Sequence, residues 1–195
     1  MARVTYRDPI APAAGTPPPR VNNIGRALAN SPGAARHSNA TAMYIRHQSK
    51  LDPRLRELAI LQVGYSARSP YEYAHHVEIA LSFGVTEADI RAIADDSAGR
   101  PTDLEPLARA ALRAAREMTE NVALSDATFA ELRKALDDEQ LVDLLFAIST
   151  YNGVVRILAA LKVDLEDDYR PFLERFPLPA AGRRSIPLSG CAADF

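Results

Sequence analysis

Residues 54–84 read RLRELAILQVGYSARSPYEYAHHVEIALSFG, and this stretch decides the fold. Asp52-Pro53 ahead of it has the form of an N-cap followed by a first-turn proline. Ser69-Pro70 repeats that signal within it, and Gly84 reads as a helix stop. Two apolar helices are therefore expected back to back. Into them the sequence places ionisable groups: Glu57 beside Leu58, Ile60 and Leu61, and Glu72 ahead of His75 and His76. Charged side chains in such surroundings are paired or used, because leaving them unpaired in an apolar medium is costly.

Helical periodicity continues outward from this pair. Thr86 with Asp89 forms a capping pattern, Pro106 opens a helix reaching about Asn121, and Ser125 caps a shorter one ending near Asp137. From Glu139 to about Val163, the apolar positions Leu141, Leu144, Leu145, Ile148, Val155, Ile157, Leu158 and Leu161 support one long helix, interrupted near Asn152-Gly153. No alternating β-branched run is long enough for a strand. The expected fold class is all-α, a helical bundle of about six to eight helices. Pro9, Pro12, Pro17, Pro18 and Pro19 make residues 1–19 an extended arm, and the proline- and glycine-containing stretch at the other end reads as a tail.

Composition narrows the function. The 195 residues carry a formal net charge of −2, so nothing marks a general nucleic-acid binder. No run of 18 apolar residues occurs, and the early arginines are not followed by a signal-like apolar stretch; a membrane span is not expected and a cytoplasmic location is. Charge is nevertheless uneven. Residues 1–51 hold seven basic side chains against the single acid Asp8, which fits a basic arm lying on an acidic body, its own or a neighbour's. The one cysteine, Cys191, forms no disulfide within the chain.

Each candidate residue has a catalytic and a structural reading. Desolvation would raise the pKa of Glu57 towards neutrality, preparing it as a general acid or base; alternatively it pairs with Arg54 or Arg56. Glu72 and His76 are four apart and share a helix face, so the carboxylate would orient the imidazole. Ser69-Pro70-Tyr71-Glu72 is also a capping box, in which Glu72 reaches back to the cap amide. His75 faces another direction and suits a subunit contact or an accessory catalytic role. Tyr71 and Tyr65 are candidate donors to a substrate carboxylate, and Arg46 and Arg156 candidate anion clamps. Glu72-x-x-His75 has di-iron spacing but no second copy; a mononuclear site of Glu57, Glu72 and His76 is the minor alternative, and no metal or cofactor is expected. Phosphate loops and hydrolase elbows are absent.

The same residues carry a resemblance. RLRELAILQVG, YEYAHHVEIALSFGVTEADIRAI, the upstream NNIGRALANSPGAARHSNATAMYIRHQSKLDP and the later YNGVVRILAALKVDLE resemble the carboxymuconolactone decarboxylase family, which includes alkylhydroperoxidase D-type proteins. The resemblance spans about residues 20–167, leaving 1–19 and 168–195 as arm and tail. It implies an alkylhydroperoxidase D-like helical fold and a homo-oligomer, trimer or hexamer. In the peroxidase branch a Cys-x-x-Cys pair opens the second helix; here Ser69 and Glu72 stand at those positions, while Glu57 and His76 match that branch's glutamate and histidine. Without two thiols, thiol peroxidase chemistry is not expected. The decarboxylase branch instead implies a cofactor-free acid–base lyase, decarboxylase or isomerase acting on a small carboxylic acid or lactone. The alternative is a non-catalytic oligomer that binds small acids or serves a structural role.

Overall fold

A computed structural model describes residues 1–8 and 21–180. Among them the chain forms nine α-helices: α1 (Asn23–Leu28), α2 (Pro32–His47), α3 (Pro53–Ala67), α4 (Pro70–Ser82), α5 (Glu87–Ser97), α6 (Pro106–Glu120), α7 (Asp126–Arg133), α8 (Asp138–Leu161) and α9 (Arg170–Arg175). A single 3-10 turn, Asp167–Tyr169, precedes α9, and the described residues contain no strand. The count exceeds six to eight because α1 and α9 are only six residues each, too short to leave a periodic signature.

The expected caps form. Asp52 accepts the Leu55 amide at 2.9 Å, Ser125 caps α7, and Thr86 with Asp89 makes a reciprocal capping box. Gly84 takes φ +89° just past the end of α4, a left-handed conformation that favours glycine. One expectation fails: α8 runs without a break from Asp138 to Leu161. Asn152 is held inside it by donating to Ile148 O and to Thr119 Oγ1 on α6, while Gly153 faces open space and needs no distortion.

α3 is the hub, packing on α4, α6 and α8, and residues 55–64 are all buried. A helix apolar all round belongs in the centre of a bundle. α8 matches a bilayer span in length and apolar content, yet its inner face, with Leu144, Ile148 and Val155, joins this core. The close approach of α3 and α4 depends on Gly64, where an added Cβ would lie 3.1 Å from the Tyr73 backbone nitrogen. Between the two helices Arg68 adopts φ 53°, which turns the chain sharply and delivers Ser69 as the cap of α4.

The packed body continues past residue 167, since Tyr169 and Phe176 are buried and α9 lies on α4. At the other end, residues 1–8 lie on the chain's own body. Arg3 donates its amide to Leu161 O at 2.8 Å and its guanidinium to Ala160 O at 3.0 Å, capping α8, and the terminal amine pairs with Asp164. Cys191 lies outside the described residues.

Gly64→Ala is expected to destabilise the fold by about 1–2 kcal/mol, because backbone overlap with Tyr73 outweighs the helix propensity gained. Urea unfolding followed by circular dichroism measures it.

Candidate active site

Three side chains meet between α3 and α4. His76 Nδ1 lies 2.8 Å from Glu57 Oε2, and His76 Nε2 lies 3.0 Å from Glu72 Oε1, so the ring is held between two carboxylates. The other Glu57 oxygen accepts from Arg56 Nε at 2.9 Å. All four side chains are buried, Glu57 and Arg56 to 1% and 2% exposure. Tyr151 of α8 meets the His76 ring edge-on at 4.7 Å between centroids. Arg56 is fixed further by donating to Arg46 O and by stacking over Phe83.

The backbone explains why Glu72 turns inward. Its amide donates to Ser69 Oγ at 3.4 Å, the forward half of a capping box. The return half is missing because Gly64 O, at 2.9 Å, already takes the Ser69 amide. The carboxylate is thereby released towards His76. Its Oε1 sits close to Nε2 but out of line with the ring N–H, and has no hydrogen-bond partner of its own among the described residues.

Electrostatics set the protonation. Burial alone would make His76 a weaker base, but the charge of Glu72 and the hydrogen bond to Glu57, among other contributions from the two acids, outweigh it and raise the His76 pKa to about 9. For Glu57 the expected upward shift is corrected. Burial does push it up, yet the hydrogen bond and charge of His76, with Arg56 behind, pull it below the ordinary carboxylate value. Glu57 is thus a fixed carboxylate, and both the buried and the Arg-paired readings of it hold together. The two carboxylates lie on opposite sides of the ring, and no group of three ligating side chains among the described residues is disposed around a common point for a metal ion.

The remaining candidates divide. His75 points away from this cluster: Nε2 meets Glu166 Oε2 at 2.7 Å, and the ring stacks between Tyr71 and Tyr169 at 4.3 and 3.6 Å. Burial lowers its pKa despite Glu166. Tyr71 donates to Glu166 and accepts the Ile24 amide, so the pair ties α4 to α1 and to the C-terminal segment. Tyr65 is near Tyr73 in a different cleft, beside Arg116 and Glu117. Arg46 reaches the cluster through its backbone, whose carbonyl accepts from Arg56 Nη1 at 3.2 Å. Arg156 faces a cleft beside the first turn of α4. Sequence reasoning missed Glu166 and Tyr169 as partners of His75; they sit about 90 residues away in an unpatterned segment, and nothing local signals the pairing.

Residues 32–117, covering α2 to most of α6, match the Carboxymuconolactone decarboxylase family. The match covers less than half of the chain. Among solved structures it is similar to the debrominase Bmp8 in complex with 2,3,4-tribromopyrrole, at TM-score 0.70 and 19% identity over 78% of this chain and 81% of that one. It is also similar to an alkylhydroperoxidase AhpD core, a peroxidase-related protein from Ralstonia eutropha JMP134, at TM-score 0.63 and 21% identity over 78% and 80%. A protein of unknown function from Agrobacterium tumefaciens, assigned there to antioxidant defence as AhpD, aligns at TM-score 0.63 and 23% identity over 75% and 97%. At such identities the likeness establishes the alkylhydroperoxidase D-like fold. No curated protein sequence matches the chain. With one cysteine in 195 residues, the chain has no cysteine pair, and Ser69 and Glu72 occupy the start of α4.

The pKa shifts fix how stability depends on pH. His76 is raised in the folded state, so its contribution is complete below the unfolded value of 6.5 and is lost as pH climbs through about 9. Glu57 is depressed, so its contribution is present above 4.5 and is lost as pH falls through its lowered folded value. Urea midpoints should therefore decline between pH 6.5 and 9, and proton NMR should give His76 an apparent pKa near 9. Glu57→Gln should lower that pKa and destabilise the fold by about 3–5 kcal/mol, because it removes one partner of a buried pair.

Proposed function

We propose that this protein is a cofactor-free acid–base lyase, a decarboxylase or isomerase acting on a small carboxylic acid or lactone. The observation that carries this reading is His76, buried between two carboxylates and held protonated through neutral pH. Glu57, itself neutralised by Arg56, fixes Nδ1–H and so leaves Nε2–H as the proton available for transfer. Glu72 Oε1 beside it is a buried carboxylate oxygen without an aligned donor, which suits it to accept a proton. In the reaction, His76 delivers a proton to the atom on which negative charge develops, whether a carbon losing carboxylate or a carbonyl oxygen. Glu72 takes the proton removed elsewhere or restores that of His76. Glu57, held as a carboxylate, orients the ring rather than serving as the general acid or base that its apolar surroundings suggest. His75 and Tyr71, tied to Glu166, support α4 rather than the chemistry.

The proposed enzyme works in the cytoplasm as a homo-oligomer, a trimer or hexamer. Exposed Met43, Tyr44, Val142 and Phe146, with Tyr44 and Phe146 in edge contact, support an interface on α2 and α8. Thiol peroxidase activity is not proposed, because both cysteine positions are changed.

A second reading has its own observation. Glu57, Glu72 and His76 are nearly inaccessible and none of them lines the cleft beside α4, as suits a satisfied polar network in a non-catalytic oligomer. The experiment that separates the two is proton NMR in deuterated water with small lactones, keto acids and aromatic acids. Catalysis predicts substrate loss or deuterium incorporation, with Glu57→Gln and His76→Ala each lowering turnover by about 10²–10⁴-fold in folded protein. Full activity in either variant overturns the acid–base assignment. Absence of any exchange, with pH affecting stability alone, favours the network.

A further inference from the structure

Beside the first turn of α4 lies a cleft of about 760 Å³, walled by the second half of α8, the segment after it and α9. Its lining contains Arg68, Arg156, Lys162 and Arg170 and not one Asp or Glu, in a chain whose acids outnumber its lysines and arginines by 25 to 23. The apolar share comes from Val155, Leu158, Leu165 and Leu173 among others.

The four cations are not equivalent. Arg170 donates to Asp167 at 2.7 Å and has part of its charge answered there. Arg68 has an interaction of its own. Arg156 and Lys162 differ, for neither has a carboxylate partner among the described residues. Arg156 is braced from below, its Nη1 donating to Asn152 O at 2.5 Å and to Asn152 Oδ1 at 2.9 Å. Asn152 is itself buried and anchored to Thr119, so the guanidinium is held on its inner edge and its remaining donors stay available. Lys162 stands at the end of α8, where a lysine often serves the last carbonyls. Here Arg3 has already taken Ala160 O and Leu161 O. That leaves the Lys162 ammonium for the cleft.

We propose that this cleft is the binding site for an amphipathic organic carboxylate, with Arg156 and Lys162 pairing its anionic group and Val155, Leu158 and Leu173 covering its apolar body. The proposal rests on the acid–base reading for its substrate class and adds the site at which that substrate is held. Ser69 and Tyr71 line the same cleft, and the next residue along the helix is Glu72. A bound acid therefore lies against the turn of α4 that carries the proton-handling carboxylate, with Arg156 and Lys162 outside the buried cluster.

The test is a calorimetric titration of the full chain with benzoate and with benzamide at low ionic strength, where unscreened charge is read most strongly. Benzoate is expected to bind about tenfold more tightly than its neutral amide. Arg156→Gln and Lys162→Gln should each weaken benzoate about threefold or more and leave benzamide unchanged. Both sites are exposed, so the variants retain the fold, which circular dichroism checks. Equal affinity for benzoate and benzamide, or an unchanged benzoate affinity in the double variant, overturns the proposal.

The same titration on His76→Ala separates this site from the catalytic reading. Retained benzoate binding there, with no turnover found for the parent protein, sinks the acid–base reading and leaves the cleft standing. Loss of benzoate binding in His76→Ala places the anion at the imidazolium and overturns the cleft. If a substrate is found and its KM is unmoved in the Arg156 and Lys162 variants, the cleft assignment fails while the chemistry survives.

Discussion

Burying four ionisable side chains at one helix crossing imposes the constraint on which the rest of this structure depends: the charges must cancel locally. Glu57 and Glu72 supply two negative charges, Arg56 one positive, and only a protonated His76 completes neutrality. The raised basicity of His76 is thus a consequence of the whole cluster. The cluster in turn fixes how α3 and α4 are placed, since His76 and Glu57 meet only where Gly64 lets the two backbones come together. Any change that separates the helices strands a charge in an apolar interior, which few single interactions offset.

Much of the fold was legible because its signals are local. Asp52-Pro53, Ser69-Pro70, Thr86 with Asp89, Ser125 and Gly84 act within one turn, and each marks the boundary the structure shows. Asn152-Gly153 misled for the opposite reason. Locally it is weak helix-forming sequence, but Asn152 finds partners on both α6 and its own helix, and tertiary contact overrides the propensity. The short α1 and α9 are held by packing and by long-range bonds such as Asn23 N to Glu166, so no periodicity announces them.

The site divides the same way. Residues sharing α3 and α4, namely Glu57, Glu72 and His76, were recognisable from spacing and apolar surroundings. Their protonation was not, because the direction for Glu57 turns on whether burial or partnership dominates. His75 shows the limit most plainly. It is adjacent in sequence to His76, yet one helical step of about 100° sends it to a different set of partners contributed from residues 166 and 169.

The contacts of residues 1–8 bear on the order in which this chain acquires its structure. Arg3 bonds to residues 160 and 161, so its contacts close only once the chain has been made as far as the end of α8, whereas Thr5, Tyr6 and Arg7 meet Asn30 and Arg26 close by in sequence. Joining points so far apart carries the full entropy of closing a long loop, which favours their docking after the helical body has formed. The bonds of Arg3 to the end of α8 then form late, and the last carbonyls of that helix are answered only when they do.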